Sequence, residues 1–163
     1  MVLKKIFLMC FISLFIILIH ACTDSKKIKS QNENAKPNMP AKFNPVVYFE
    51  IPVTNMPRAI AFYKAVFNFT FEVENIDNNE MALFPFTETS SGISGALAKG
   101  EIYKPTKDGV LIYFKTENIE HTLQLATDNG AKILYPETNN GIGLVAEFED
   151  TEGNRIALFQ SIK

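Results

Sequence analysis

The side chains that could do chemistry here are mostly carboxylates and phenols. Alternation along Val46–Val53 sets Tyr48 and Glu50 on one strand face and Val47, Phe49 and Ile51 on the other. Further on, Leu111, Tyr113 and Lys115 share a face opposite Val110, Ile112 and Phe114. Glu147 and Arg155 fall in later strands. A carboxylate among phenols is an acid–base set: Glu50 as base, with Tyr48 or Tyr113 as proton donor, could serve a lyase or isomerase. Glu50 and Glu147 together could instead hold a hard cation weakly. The competing expectation is pairing, since inward carboxylates are usually hydrogen-bonded to a neighbour, here one such as Arg155 or Tyr113.

Other chemistries find no support. The chain has two histidines and two cysteines. His121 falls on a helix, where solvation is the plain reading, so no Ser-His-Asp set can be assembled around it. No glycine-rich phosphate loop follows a strand. Gly92-Ile93-Ser94-Gly95 and Gly141-Ile142-Gly143 read as flexible strand starts.

Both cysteines lie in the first 22 residues. Lys4 and Lys5 precede an apolar run over 6–19, which is short for a membrane span of roughly 20 residues. His20-Ala21-Cys22 follows, so residues 1–21 read as a signal peptide. Ile19-His20-Ala21-Cys22 resembles the bacterial lipobox, which implies lipid on Cys22, a membrane anchor and a place at the cell envelope outside the cytoplasm. With Cys10 discarded and Cys22 lipidated, no thiol is left for a disulfide, a nucleophile or a zinc site. Residues 22–44 read as the lipidated Cys and a solvated linker. The linker carries five lysines against Asp24 and Glu33, whereas from Asn44 onward nine basic residues face sixteen acidic ones. An acidic domain without a basic stripe argues against nucleic acid.

The domain, 45–163, says one thing twice. Val46–Val53, Thr54-Asn55-Met56 and an amphipathic run to Phe67 return 63 residues later as Gly109–Thr116, Glu117-Asn118-Ile119 and a run to Asn129. Each is strand, Asn cap, helix. Met56, Ile60, Tyr63 and Phe67 stripe the first helix; Ile119, Leu123 and Ala126 stripe the second, which Gly130 ends. Further strands are expected over 69–74, 81–86, 93–99, 132–135, 144–149 and 155–160. The fold class is therefore α+β: two βαβββ modules, 45–100 and 108–163, enclosing a cleft. Val47, Phe49, Ile60, Ile112, Phe114 and Leu123 are expected in the helix-covered core.

The phrases Phe49-Glu50-Ile51-Pro52-Val53-Thr54-Asn55-Met56-Pro57-Arg58-Ala59-Ile60-Ala61-Phe62-Tyr63 and Glu149-Asp150-Thr151-Glu152-Gly153-Asn154-Arg155-Ile156-Ala157-Leu158 resemble the vicinal oxygen chelate superfamily of glyoxalases, extradiol dioxygenases and bleomycin-resistance proteins. The nearest look is to its uncharacterised glyoxalase-like branch. The resemblance implies His or Glu metal donors in strands one, four, five and eight. Here those positions hold Tyr48, the Ile93–Leu97 segment, Leu111 and Ala157, so no metal and no other cofactor is expected. Tyr48, Glu50, Leu111, Tyr113, Glu147, Arg155, Ala157 and Phe159 are instead expected to line a site for a small apolar or aromatic-containing ligand. The rival readings are the acid–base enzyme and an interaction module whose cleft is filled by its own side chains. Related folds assemble within and between chains, which leaves a homodimer open.

Overall fold

The computed structural model describes residues 44–162 apart from 88, 90 and 91. The expected signal peptide, the lipidated Cys22 and, except for Asn44, the linker lie outside the described residues.

Both Asn caps form. Strand β1 (Tyr48–Pro52) leads into helix α1 (Met56–Phe67), where the Asn55 side chain accepts from the Arg58 N–H at 3.1 Å. Strand β5 (Ile112–Lys115) leads into α2 (Ile119–Asp128), where Asn118 accepts from the His121 N–H at 2.9 Å. In each, a short side chain in extended backbone reaches an orphan donor of the first turn. Pro57 falls in the first turn of α1, where no intrahelical N–H is needed. Gly130, at φ 99°, follows α2 in the left-handed conformation the sequence implied.

Strands β2 (Glu72–Ile76), β3 (Asn79–Leu83) and β4 (Ser94–Lys99) complete the first module; β6 (Lys132–Asn139), β7 (Gly143–Glu149) and β8 (Arg155–Ser161) complete the second. The sheets run β1-β4-β3-β2 and β5-β8-β7-β6, with β1 parallel to β4 and β5 parallel to β8. Hence the order is βαβββ, twice. The β2–β3 turn is tighter than the sequence suggested. Asp77 (φ 50°) and Asn78 (φ 62°) both take left-handed backbone, so pairing runs up to a two-residue hairpin at Ile76–Asn79. Gly95 and Gly143 are not loop hinges but strand residues under aromatic rings. A Cβ at Gly95 would stand 2.7 Å from the Phe49 ring, and one at Gly143 2.6 Å from the Phe159 ring.

The two modules share one core. Helices α1 and α2 pack together, and the core runs from Ile51, Phe62 and Tyr63 to Leu123, Phe148 and Leu158. Phe114 of β5 wedges among rings of the first module, 4.9 Å from Phe67 and 5.9 Å from Phe84. Phe49, Ile60, Ile112 and Phe114 pack against the core half-buried, and Leu123 is buried. Val47 does not join them: it precedes β1, has no strand neighbour, and is 71% exposed. Among the described residues no helix is long and apolar enough to cross a membrane.

Candidate functional site

The turn between β7 and β8 joins the halves. Asp150 is buried and accepts from Tyr63 Oη at 2.9 Å, from the Asn154 N–H at 2.8 Å and from the Glu152 N–H at 2.9 Å. Asn154 donates to Pro52 O at 2.8 Å, and its Oδ1 accepts from the Thr106 N–H at 3.2 Å. Glu152 reaches over to the start of α1, accepting from the Thr54 and Asn55 N–H groups at 2.8 and 2.9 Å and from Arg58 Nε at 2.7 Å. Burial pushes the Tyr63 phenol well above its usual range, and the neighbouring Asp150 carboxylate adds to this. Burial also raises Asp150 against the hydrogen bonds it accepts. Glu152 runs the other way: burial would raise it, but Arg58, the two N–H groups and the Thr54 hydroxyl outweigh burial and hold it low. The Asp-x-x-Gly-Asn turn is thus a clamp, and Tyr63 of the Phe-Tyr pair is its partner. Sequence reasoning took it for a tight turn only; its run of polar residues was the available signal.

The helix-free faces of the sheets carry the residues singled out above. Register sets Glu50 beside Ala96, and Tyr113 beside Ala157. Tyr48 and Tyr113 stand 42% and 52% exposed. Burial raises the Tyr48 phenol, as do the charges of Glu50 and Glu74. Both inward carboxylates are paired. Arg155 grips Glu147 through Nε at 2.6 Å and through a second guanidinium nitrogen. Glu50 accepts from Tyr103 Oη at 2.8 Å, rather than from Arg155 or Tyr113. Tyr103 comes from the inter-module loop, where no periodicity flags it. That hydrogen bond, with some burial, raises the Tyr103 phenol.

Strands β1 and β5 are the edges of their sheets, and the seam between them holds two hollows that meet at Ile112. The larger, about 350 Å³, is walled by Phe49, Phe69, Phe84, Phe114 and Ile93, with Tyr113 and Lys115 at its mouth. The smaller, about 270 Å³, takes Glu50, Pro52, Val110, Asn154 and Arg155. A third hollow, about 390 Å³, lies away from the seam between Thr70, Glu72, Leu83 and Phe86. Its size does not make it the better candidate, because it lies farther from Tyr113 and Arg155 than the seam does. Glu50, Tyr113 and Arg155 therefore reach the seam, whereas Tyr48, Leu111, Glu147, Ala157 and Phe159 line neither seam hollow. Leu111 precedes β5 and Ala157 is fully buried.

The metal positions do not fit a metal. Tyr48 offers a phenol held in its neutral form, Ser94 and Ala96 offer at most a hydroxyl, and Leu111 and Ala157 offer no donor. His121 is exposed on α2. Among the described residues no three His, Cys, Asp or Glu side chains are grouped to hold an ion.

Comparison with known proteins agrees with this architecture. A "Glyoxylase-like domain-containing protein" of Didymella fabae is 29% identical over 114 residues, covering 67% of this chain and 88% of that protein. TnmS3, an antibiotic binding protein from Streptomyces sp. CB03234, superposes with a TM-score of 0.54 at 19% identity, over 74% of this chain and 98% of that one. The V278E mutant of glyoxalase I from Zea mays gives 0.54 at 16% identity over 71% of this chain, which spans only 46% of the maize protein's length. Residues 45–158 match a family from the first strand into the last, and the chain belongs to the Glyoxalase/Bleomycin resistance protein/Dioxygenase superfamily.

Proposed function

We propose that this domain binds a small apolar or aromatic-containing ligand in the seam between its modules, without a metal, and that lipid on Cys22 holds it outside the cytoplasm at the bacterial cell envelope. The observation that carries the reading is the larger seam hollow. Four phenylalanine rings wall a space of about 350 Å³, with a phenol and an ammonium at its mouth. That size and that mix of apolar wall and few polar groups suit a small organic molecule. TnmS3 is, by its description, a binder of antibiotics on a related fold. The signal-like start and the lysine-rich linker support the anchored location.

Native mass spectrometry of the full chain, released gently from its host's membranes, tests this. An organic adduct is expected on the wild type. Ile112→Trp, placed where the two hollows meet, should remove it. A wild type without adduct, or one retained in Ile112→Trp, would sink the seam reading.

One observation favours a second reading. Tyr103 Oη stands 2.8 Å from Glu50, so a donor and a base are already in contact at the smaller hollow. An enzyme using that pair would bind its substrate in Glu50→Gln and fail to turn it over. Unchanged turnover in that variant excludes the pair.

A further inference from the structure

Tyr103 sits where a ligand would. It belongs to the loop that joins the modules, yet its ring packs on the helix-free face of the first sheet, against Met81, Ala96 and Ala98. Both alanines are fully buried, and their small side chains leave the depth of one aromatic ring above the sheet. The phenol donates to Glu50 at 2.8 Å. Ring on alanine floor and hydroxyl on carboxylate together make a complete recognition unit, already filled by the chain itself.

The loop is built to release it. Beyond Tyr103 the backbone is pinned at Thr106, whose N–H donates to Asn154 at 3.2 Å and whose carbonyl accepts from the Arg155 N–H at 3.4 Å. Before it, Glu101 and Ile102 face solvent, Ile102 at 77% exposure. Lifting Tyr103 therefore leaves the clamp between the modules in place. The uncovered face has a definite charge. Register puts Glu50, Glu72 and Glu74 on it, beside Tyr48, Met81 and Leu83, with no basic residue of β1–β4 among them. Lys99 points the other way, to Glu80 at 2.9 Å. Such a face repels anions and favours neutral or cationic guests.

We propose that Tyr103 is a built-in, displaceable ligand, and that the subsite it covers takes a free para-substituted phenol, neutral or cationic, with its hydroxyl on Glu50 and its ring on Ala96 and Ala98. The inference rests on the small-molecule reading above but on different residues, and it names a chemical class. Exchange replaces a phenol with a phenol, so the guest competes with the loop on nearly equal terms. The apparent affinity is reduced by the fraction of molecules in which the loop is open.

Tyramine is the probe, measured by calorimetry on the full chain in detergent, with ethylbenzene and 4-hydroxyphenylpropionate as controls. Tyramine should bind the wild type weakly. An open state populated to about 10% or less makes Tyr103→Ala bind at least tenfold more tightly. Tyr103→Phe, which keeps the ring and loses the Glu50 bond, should gain part of this even if the alanine variant folds poorly. Glu50→Gln in the Tyr103→Phe background should lose about tenfold. The two controls should bind more weakly than tyramine. Equal tyramine affinity in wild type and Tyr103→Phe, or equal affinity for ethylbenzene, overturns the proposal. Ile112→Trp separates the two readings, since it should abolish the host-derived adduct and leave tyramine binding intact. An adduct lost in Ile112→Trp with no Tyr103-dependent tyramine response overturns the phenol subsite alone.

Discussion

Replacing Glu152 with Ala should loosen the junction between the modules more than any other single surface substitution. Its carboxylate takes two backbone N–H groups at the head of α1, at 2.8 and 2.9 Å, and the Thr54 hydroxyl at 2.8 Å. The Glu152 side chain has no exposed area, although Arg58 beside it is 49% exposed. A hydrogen bond to a charged acceptor contributes about 1.5–3 kcal/mol, and loss of a helix N-cap costs about 0.5–2 kcal/mol. We assign Arg58 no share, because its guanidinium stands in solvent. The acceptors lost overlap, so the sum is about 2–4 kcal/mol rather than a simple total. The pH dependence has a definite sign. The folded carboxyl is held below its usual value, so its contribution is complete above the unfolded value near 4.5 and is lost as pH falls through the folded one. Glu149, held low by Lys107, adds in the same direction, while Asp150, raised by burial, opposes both. Urea melts followed by circular dichroism, at pH 7 and again below pH 4, measure the effect. Glu152→Ala should lose the full amount at pH 7 and much less in acid. A loss of only a few tenths at pH 7, or the same loss at both pH values, would refute the clamp.

Three further outcomes are expected. Gly95→Ala should cost about 1–3 kcal/mol in the same melts, because its Cβ would stand 2.6 Å from Phe49 O and 2.7 Å from the ring; wild-type stability would mean that β4 yields there. Radiolabelled fatty acid should enter the wild type and not Cys22→Ala, and equal labelling of both would remove the anchor. After dialysis the unmodified protein should carry no stoichiometric zinc, nickel or iron by elemental analysis, whereas Tyr48→His, Leu111→His and Ala157→Glu together should restore binding. One metal per chain in the unmodified protein, lost on changing Glu50 or Glu147, would make those carboxylates a site.

The repeat was readable because its signals are local. Asn55 and Asn118 bond donors three residues away, and helix stripes need only periodicity. Strand register followed from alternation, which is why Glu50, Tyr113 and Arg155 were placed on the faces that reach the seam. What escaped depends on distance. Glu152 meets α1 across 97 residues or more, and Tyr103 meets Glu50 across 53. No pattern in a single strand announces such partners. Val47 alternates correctly but has no neighbouring strand to bury it, and alternation cannot say where a ladder stops. Gly95 and Gly143 looked like hinges because the rings that need their missing side chains are fixed only by the finished sheet.

The seam carries one more implication. Strands β1 and β5 each end a sheet, and among the described residues no ladder of backbone bonds joins them. The halves are held by side chains at the clamp and by packed rings. The gap between them can therefore widen or narrow by exchanging Phe49, Ile112 or Phe114, without breaking a single strand pairing. A lineage changing its guest would leave the scaffold's hydrogen bonding untouched and pay only in core volume. The place where this architecture is least constrained by its backbone is the place where its ligand is proposed to sit.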